Sequence, residues 1–345
     1  MNMRPQEQRF SFTGTGAEYF RIWIVNFFLT ILTLGIYSAW AKVRRMQYFY
    51  RNTHLADSSF DYHGTAIAIL KGRLIGFALF AAYYGMLKIM PLVGLGIGLL
   101  IVLIMPYMLV LSFRFRLYNT SYRGLRFGFV GSIKSAYVVF LALPLAALFT
   151  LYLMAPLAHH QIKAYQHKNS RFGQSAFSFT AQEGSFFKIY FFAFLQFLLV
   201  TSLFSAGGYF LFKGMAGSMP QKNLILAIIL AVYALMIISS LLVIPYFIAR
   251  IQNLIWNKTQ LGESHFSSSM TARGLAWVLF SNFIFVILTL GLFKPFADIR
   301  LARYRLEHMA LLLAGDMGEF IASEQQKIGA AGMETAEVFD IDIGF

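Results

Sequence analysis

Three histidines come nearest, by residue type and spacing, to the donor set of a metal site. His159, His160 and His167 lie in one short stretch, and on a helix His160 and His167 would share a face two turns apart. A stable metal site needs more donors that converge on the ion, and no carboxylate lies in this stretch. The sequence therefore predicts neither a metal ion nor another cofactor.

Acid-base or nucleophilic catalysis would require paired carboxylates or an activated nucleophile. The acidic residues outside the C-terminal tail are scattered, and no Gly-x-Ser-x-Gly, HExxH or phosphate-binding glycine loop occurs. The chain has no cysteine, which excludes disulfides and thiol nucleophiles. We therefore predict that the protein is not an enzyme.

Two pairs of uncharged polar residues lie inside apolar segments. Asn26 and Thr33 fall on one face of a helix, and Asn282 with Thr289 repeats the pair. These side chains could line a path for a substrate or ion, or they could hydrogen-bond between helices at about 0.6 kcal/mol each. Packing is the favoured explanation. The apolar segments contain no ionisable residue away from their ends, which argues against proton coupling but permits a lipid or apolar substrate.

The segments that hold these residues are those of a membrane protein. Of the 345 residues, 58% are hydrophobic and only 13% are charged. Stretches of about 20 apolar residues are long enough to cross a bilayer. We predict an all-α polytopic membrane protein with about seven transmembrane helices, at 22–41, 72–88, 89–113, 135–158, 189–212, 223–249 and 274–293. This membrane domain, 22–313, would follow a polar N-terminal segment, 1–21, and precede an acidic tail, 314–345.

Long-range similarity within the chain indicates internal repeats. Shifting residues 10–48 by 256 positions aligns Ile31-Leu-Thr-Leu-Gly35 with Ile287-Leu-Thr-Leu-Gly291, and it also pairs Asn26 with Asn282 and Arg44 with Arg300. Weaker copies lie between these two, each with a span, a linker and an aromatic segment. We predict a repeat architecture of such units.

The linker after the first span has the pattern of an amphipathic helix. Apolar residues fall on one side and basic residues on the other, and the linker after the last span repeats the stripe. We predict interfacial helices that contact anionic lipids after a turn at Gly35, or at Gly291 and Pro295. The predicted lipid contacts are Trp40, Lys42, Arg44, Arg45, Arg51, Arg300 and Arg303.

Short aromatic segments follow the linkers. Phe10-Ser-Phe, Phe60-Asp-Tyr, Phe127-Gly-Phe and Phe177-Ser-Phe alternate large with small or polar residues, which predicts short strand-like pieces. Whether they pair with each other is left open. Before two of these segments the linkers carry an Asn followed by Thr, and we predict linker caps at Asn52, Thr53, Asn119 and Thr120.

The distribution of charge predicts the partners and the orientation. The net charge is +14, and basic residues concentrate in the linkers, which favours anionic membrane lipids over nucleic acid as partners. With all seven segments crossing, the side richer in Lys and Arg would include the C-terminus, which would then be cytoplasmic. Three crossings per unit would invert successive units, as in many secondary transporters. A topology in which some segments re-enter stays open.

The stretch from Phe10 to Thr53, with Thr-Leu-Gly-Ile-Tyr followed by Trp40, Lys42 and Arg44, resembles the YjgN-like family of bacterial inner-membrane proteins. The resemblance covers about residues 10–310. It implies a multi-pass protein of the bacterial inner membrane, and it supplies no activity, substrate or protein partner.

Two functions from different classes follow from the sequence. One is a transporter or channel-like carrier built on inverted repeats. The other is a non-transporting envelope protein that organises anionic lipids or partner proteins through its basic helices and acidic tail.

Overall fold

The computed structural model describes residues 6–215, 220–315 and 317–338, and over these ranges the chain forms both helices and a sheet. The prediction of an all-α fold is therefore wrong. Each short aromatic segment has one apolar face, and such faces are stabilised when neighbouring strands pair and bury them together. The strand-like pieces thus become a single sheet.

The sheet of eleven short strands, counted over the described ranges, closes on itself. Its strands are β1 (Gln6–Arg9), β2 (Ser11–Phe12), β3 (Thr53–Leu55), β4 (Ser58–Tyr62), β5 (Thr120–Tyr122), β6 (Leu125–Phe129), β7 (Ser170–Phe172), β8 (Ser175–Phe179), β9 (Thr259–Leu261), β10 (Ser264–Ser268) and β11 (Met309–Leu313). Every pairing is antiparallel between neighbours in this series, and β1 pairs with β11 while β2 pairs with β3. Only Phe10 separates β1 from β2, so the sheet forms a barrel.

Helices fill the connections between alternate pairs of strands. They are α1 (Gly16–Leu32), α2 (Ser38–Arg51), α3 (Ala66–Ile89), α4 (Pro91–Tyr118), α5 (Ile133–Tyr137), α6 (Leu143–Phe149), α7 (Ala155–Lys168), α8 (Glu183–Met215), α9 (Gln221–Asn257), α10 (Ala272–Leu288), α11 (Lys294–Glu307) and α12 (Met317–Val338). A π-helical turn, Val138–Ala142, joins α5 to α6. Together, α1 to α11 make five helical hairpins in the described part of the chain: α1–α2, α3–α4, α5–α7, α8–α9 and α10–α11.

All of the helical hairpins leave the barrel from one edge. Each lies between two antiparallel neighbouring strands, so the chain leaves and returns on the same side. At this edge a backbone hydrogen bond joins the two ends of each helical hairpin, at 2.8 to 3.0 Å: Thr13 N to Asn52 O, His63 N to Asn119 O, Val130 N to Asn169 O, Thr180 N to Lys258 O, and Ser269 N to His308 O. We call this side the hairpin edge and the opposite side, with the β-turns, the turn edge.

This arrangement corrects the predicted inversion of units. A hairpin contains two helices that run in opposite directions, so successive units keep the same orientation relative to the barrel. Neighbouring hairpins also pack side by side, α2 on α3, α4 on α5, α7 on α8, α9 on α10 and α11 on α1. The helices therefore form a closed ring above the hairpin edge.

The helical hairpins are of two lengths. Over the described residues, four helices are long and apolar enough to cross a membrane, and they are α3, α4, α8 and α9. The predicted number of seven crossing helices is not confirmed. In the other hairpins the predicted continuous spans 22–41, 135–158 and 274–293 are each interrupted by a tight turn, at 33–37, 150–154 and 289–293.

The three tight turns share one geometry. Leu34, Leu151 and Leu290 adopt left-handed φ angles of 52°, 50° and 50°. The preceding Thr33, Thr150 and Thr289 donate their hydroxyls to the carbonyl four residues back, at 2.7, 2.8 and 2.6 Å, and accept the N–H four residues on. The threonine hydroxyl thus satisfies backbone groups on both sides of the turn.

The helix predicted to lie flat on the head groups instead folds back along the first helix. Tyr48, near the end of α2, accepts a 2.9 Å hydrogen bond from the N–H of Thr15, at the start of α1. Tyr165 and Tyr304 make the corresponding contacts, to the carbonyl of Ser132 and the N–H of Thr271. Tyr48 and its neighbour Phe49 therefore pack α2 against Tyr19 of α1.

Candidate functional site

A ring of phenylalanines lines the inside of the barrel. Phe10, Phe60, Phe127, Phe177 and Phe266 sit at matching positions, and successive rings stack with centroids 6.3, 6.4, 6.4 and 6.1 Å apart. Because side chains alternate along a strand, one apolar residue in every second position suffices to build this wall. The strands between them contribute further inward residues at the same level: Tyr122, Phe172, Leu261 and Leu311.

The ring encloses an apolar cavity of about 430 Å³. Its middle is formed by the phenylalanine ring, and the side toward the hairpin edge is formed by the last turns of returning helices, with Tyr50, Leu117, Trp256 and Leu306. Thr53, Thr120 and Ser264 are its few polar neighbours. Such a volume lies within the roughly 300 to 1,000 Å³ of small-molecule sites.

The outer face of the barrel is polar. The residues that follow the ring phenylalanines are Ser11, Asp61, Gly128, Ser178 and Ser267, and their partners on the adjacent strands are His54, Ser121, Arg171, Gln260 and Ala310. A surface of this composition is suited to water and costly to place in hydrocarbon. The barrel thus has a mostly polar outer face and an apolar interior.

The C-terminal helix covers the turn edge of the barrel. Met317, Phe320 and Ile321 of α12 pack into the barrel core. Glu324 is completely buried, and its Oε2 accepts hydrogen bonds from the N–H groups of Gln174 at 2.7 Å and Ser175 at 3.0 Å. Its Oε1 accepts from the Ser175 hydroxyl and from Lys327 Nζ. Burial alone would raise the pKa of Glu324, but these hydrogen bonds outweigh burial and hold the pKa below its ordinary value.

A second, more polar cavity of about 270 Å³ adjoins the first one at the hairpin edge. It shares Leu117, Phe127, Phe177 and Trp256 with the barrel cavity, and it adds Arg116, Gln166 and His167. His167 Nδ1 lies 3.1 Å from the hydroxyl of Thr259. Burial, with a contribution from Lys163, lowers the pKa of His167 to about 4, so this imidazole is neutral at pH 7.

The predicted pairs of intramembrane polar residues lie within single hairpins. Thr33 and Thr289 hold the tight turns, as described above. Asn282 is buried between α10 and α11, where it donates to the carbonyl of Ala297 and accepts from Arg300 at 2.8 Å. Asn26 is equally buried, but its Oδ1 has no hydrogen-bond partner in the described chain. A role in lining a path stays a prediction.

The residues predicted to contact anionic lipids occupy different environments. Trp40, Lys42 and Arg44 are exposed, and Arg44 lies over the ring of Tyr37 at 5.7 Å. Arg51 forms a 2.8 Å ion pair with Asp61, and Arg45 lies 3.7 Å from Asp298. In the last hairpin, Arg300 bonds to Asn282 and Ser281, and Arg303 donates to the carbonyl of Gly14. Arg300 and Arg303 thus hold protein groups together.

The predicted turn and cap residues lie at the ends of helices. Gly35 and Gly291 have φ angles of 92° and 94°, and Pro295 is in the first turn of α11. The side chains of Asn52 and Asn119 donate to the carbonyls four residues back, both at 2.8 Å, and Thr53 and Thr120 do the same at 2.8 and 2.9 Å. These contacts end each returning helix just before its strand begins.

The three histidines point to different partners. His159 Nδ1 lies 3.0 Å from the hydroxyl of Tyr190, and His160 Nε2 lies 2.9 Å from the carbonyl of Ala181. His167 faces Thr259 instead. Over the described residues, no group of three or more His, Asp or Glu side chains is arranged to hold a metal ion.

These features define a class of protein: a membrane protein of helical hairpins built on a barrel with an apolar interior. Comparison of the chain with known protein families identifies its particular family. Residues 7–338 match the model of the family described as "Bacterial protein of unknown function (DUF898)", and the chain belongs to that family.

Several relatives carry the name "Inner membrane protein YjgN". The protein from Salmonella typhimurium (strain LT2) is 27% identical over 362 residues, which cover 92% of this chain and 91% of the relative. The protein from Escherichia coli (strain K12) is 36% identical over 137 residues, which cover 39% of this chain and 34% of the relative. No solved structure matches the chain significantly.

The cavity and most of the residues that line it were not predicted from the sequence. The ring phenylalanines were recognised as strand-like, but the adjoining Arg116, Gln166 and Trp256 carried no motif. A signal was nevertheless present, because Tyr50, Leu117 and His167 each stand two residues before the Asn that ends a returning helix. That constant spacing brings them to one level at the hairpin edge.

Proposed function

We propose that this protein is a carrier of the bacterial inner membrane that takes an apolar ligand, such as a lipid chain, into its barrel. The observation that supports this function is the cavity of about 430 Å³, walled by stacked phenylalanines and nearly free of polar groups. Apolar ligands gain free energy in proportion to the area they remove from water, at roughly 25 cal/mol per Å². A polar solute would find few hydrogen-bond partners there.

The arrangement of helices supports entry from the membrane side. The turn edge is covered by α12, whereas the hairpin edge faces the ring of helices. The long hairpins are long enough to cross the bilayer. The 17-residue helices α1 and α10 extend only about 25 Å at 1.5 Å per residue, less than the roughly 30 Å hydrocarbon core. We infer that the shorter hairpins re-enter, with Leu34 and Leu290, 94% and 95% exposed, in the lipid.

The charge distribution supports a cytoplasmic barrel. Lys88, Lys213 and Lys222 lie at the far ends of the long hairpins, whereas most of the 29 Lys and Arg residues lie near the hairpin edge or on the barrel. The positive-inside rule then assigns the barrel, and with it both β1 and α12, to the cytoplasmic side.

Recurring contacts support a common origin of the hairpin units. The tyrosine that closes a short hairpin stands 33 residues after its partner in α1–α2, in α5–α7 and in α10–α11. We infer that these units are internal repeats in parallel orientation, joined by β-hairpins.

The proposal is tested with a substitution that fills the cavity and leaves the outer surface of the barrel unchanged. Leu261 points into the barrel and its neighbour Gln260 points outward. Purified protein is placed in nanodiscs of phosphatidylcholine, and its uptake of a pyrene-labelled alkane and the transfer of that alkane to acceptor vesicles are measured. Leu261→Trp should abolish both uptake and transfer, whereas Gln260→Trp should leave both unchanged.

Two outcomes would contradict the proposal. One is that the unmodified protein takes up no alkane, and the other is that Leu261→Trp takes up as much as Gln260→Trp does. Leu261→Phe provides a milder filling in case the larger ring prevents folding, and it should give an intermediate loss. Uptake without transfer would overturn the carrier function and leave a binding protein.

A second candidate function is the organisation of anionic lipids without transport. A surface groove of about 500 Å³ between α1 and α2 is lined by Arg21, Arg44 and Arg51, beside the apolar Ile22 and Val25. Replacing Arg21, Arg44 and Arg51 together by Gln should weaken retention of phosphatidylglycerol if this function holds. Unchanged lipid retention would exclude it.

A further inference from the structure

We propose that the ligand of the barrel is an anionic amphiphile: an alkyl chain with a carboxylate or phosphate head, the head binding at Arg116, Lys163 and Gln166 and the chain filling the barrel cavity. The inference rests on the proposed function, because it assumes that the barrel cavity holds an apolar chain. It adds the chemical class of the ligand and the place of its polar end.

The first support is that the two cavities meet. Leu117, Phe127, Phe177 and Trp256 line both the apolar barrel cavity and the smaller polar cavity. Arg116 stands in the wall of the smaller cavity, one residue before Leu117 and beside Phe113, whose ring lies 5.7 Å from the guanidinium carbon. A chain in the barrel would therefore place its head within the smaller cavity.

The second support is that positive charge at this place has no counter-charge. Among the described residues, neither Arg116 nor Lys163 forms an ion pair, and the hydrogen bond of Lys163 goes to Gln166 Oε1 at 3.3 Å. Elsewhere Asp61, Asp298 and Glu324 each have a basic partner. Arg116 is exposed, whereas Lys163 is half-buried, so a bound anion would offset the desolvation of Lys163 and would give both cations a partner.

The electrostatics of the neighbouring groups agree with this interpretation. Burial, together with the nearby Arg116, lowers the pKa of Lys163, and burial with Lys163 lowers that of His167. Each of these positive groups therefore disfavours protonation of the next one. An anion placed among them would reverse that effect and bind by charge-assisted hydrogen bonds.

The experiment uses Trp256 as a reporter, because its indole lines both cavities. The other tryptophans are replaced by Trp23→Phe, Trp40→Phe and Trp277→Phe, and the full-length protein is held in phosphatidylcholine nanodiscs. Quenching of Trp256 fluorescence is titrated with terminally brominated undecanoate, undecyl phosphate and undecanol. The first two probes carry the carboxylate and phosphate heads, and the third is the neutral control.

Charge-removing variants then locate the head. Arg116→Gln and Lys163→Gln should each weaken the anionic probes by about tenfold or more, since a charge-assisted hydrogen bond is lost, and should leave the undecanol titration unchanged. The matched control is Lys168→Gln, because Lys168 is exposed on the same helix, whereas Lys163 is half-buried and donates to Gln166, which lines the smaller cavity. It should change none of the titrations.

The outcomes separate this inference from the function on which it rests. If undecanol quenches Trp256 as well as the anions do, or if the two variants leave anion binding unchanged, the head-group site is overturned while the apolar cavity stands. If no probe quenches Trp256, the carrier function itself fails. A preference between carboxylate and phosphate identifies which anionic head the site takes, and either preference supports the proposal.

Discussion

Replacing Gly173 by Ala should detach the C-terminal helix from the barrel. Gly173 lies in the turn between β7 and β8 with a φ of +59°, and a Cβ atom there would lie 2.7 Å from Oε2 of Glu324. That oxygen would have to move away from the N–H groups of Gln174 and Ser175. Hydrogen bonds to a charged group contribute about 1.5 to 3 kcal/mol each, so the loss of both amounts to roughly 3 kcal/mol or more.

A second glycine supplies the control for backbone strain. Gly262 occupies the corresponding turn between β9 and β10 with a φ of +57°, and a Cβ atom there would meet nothing within 4 Å. Both Ala variants pay the cost of a left-handed conformation, about 1 to 2 kcal/mol. The difference between them therefore isolates the contact with Glu324.

The assay is tryptic cleavage after Lys327, the last basic residue of the chain. Cleavage follows the population of detached helix when opening is fast compared with proteolysis. At 1.4 kcal/mol per factor of ten, a loss of roughly 3 kcal/mol should accelerate cleavage of Gly173→Ala about a hundredfold relative to Gly262→Ala. Equal cleavage rates in the two variants would refute the assignment of Glu324 as the group that holds α12.

Three further predictions follow from other contacts. The pKa of Glu324 is lower in the folded protein than its ordinary 4.5, so docking of α12 should be complete above pH 4.5 and should weaken as the pH falls through the folded pKa. Hydrogen exchange of 317–338, corrected for intrinsic rates, should show this weakening, and Glu324→Gln should remove the pH dependence. Asn282→Leu should destabilise the protein by about 1.5 to 3 kcal/mol because Arg300 loses a charged hydrogen bond. Asn26→Leu removes an oxygen without a partner and should cost less than about 1 kcal/mol. Similar thermal midpoints for the two variants would contradict this prediction. Leu34→Gly should relieve the left-handed φ of 52° and raise the thermal midpoint in nanodiscs, whereas Ile31→Gly, inside α1, should lower it by the roughly 1 kcal/mol cost of a helical glycine.

The sequence predicts local structure in this protein better than it predicts how segments meet. The period-two alternation at Phe60 and Phe127 correctly indicated extended segments, because alternation is a property of neighbouring residues. The closure of those segments into a barrel depends on pairing between strands far apart in the chain. No periodicity records such pairing, and the all-α prediction failed for that reason.

The sequence predicts turns at Gly35 and Gly291, but the predicted spans 22–41 and 274–293 run through both of them. Leu34 and Leu290 continue the apolar run of the preceding helix, so a count of apolar residues passes through the turn without a break. The signal lay in the recurrence of Thr before Leu, since a threonine hydroxyl can cap both sides of a turn. The same hydrophobicity at 150–154 concealed the third turn, where Tyr152 stands in place of glycine.

The candidate site was less predictable than the fold. Arg116 stands near the end of an apolar helix, where basic residues usually serve only as anchors at the interface. Its proximity to Lys163 arises because α4 and α7 belong to adjacent hairpins and end at the same edge. The pairing of positive charge with an apolar cavity is therefore a product of the ring of hairpins.

The pairing of β1 with β11 has a consequence for biosynthesis. A ribosome releases β1 long before it has made β11, so β1 must stay unpaired until almost the whole chain has been inserted, although β2 can already pair with β3. The joining of the two ends is a contact of very long range, which slows folding. Nascent or truncated chains that lack 309–313 would expose an open sheet edge, and quality-control proteases could use that edge to distinguish unfinished molecules from finished ones.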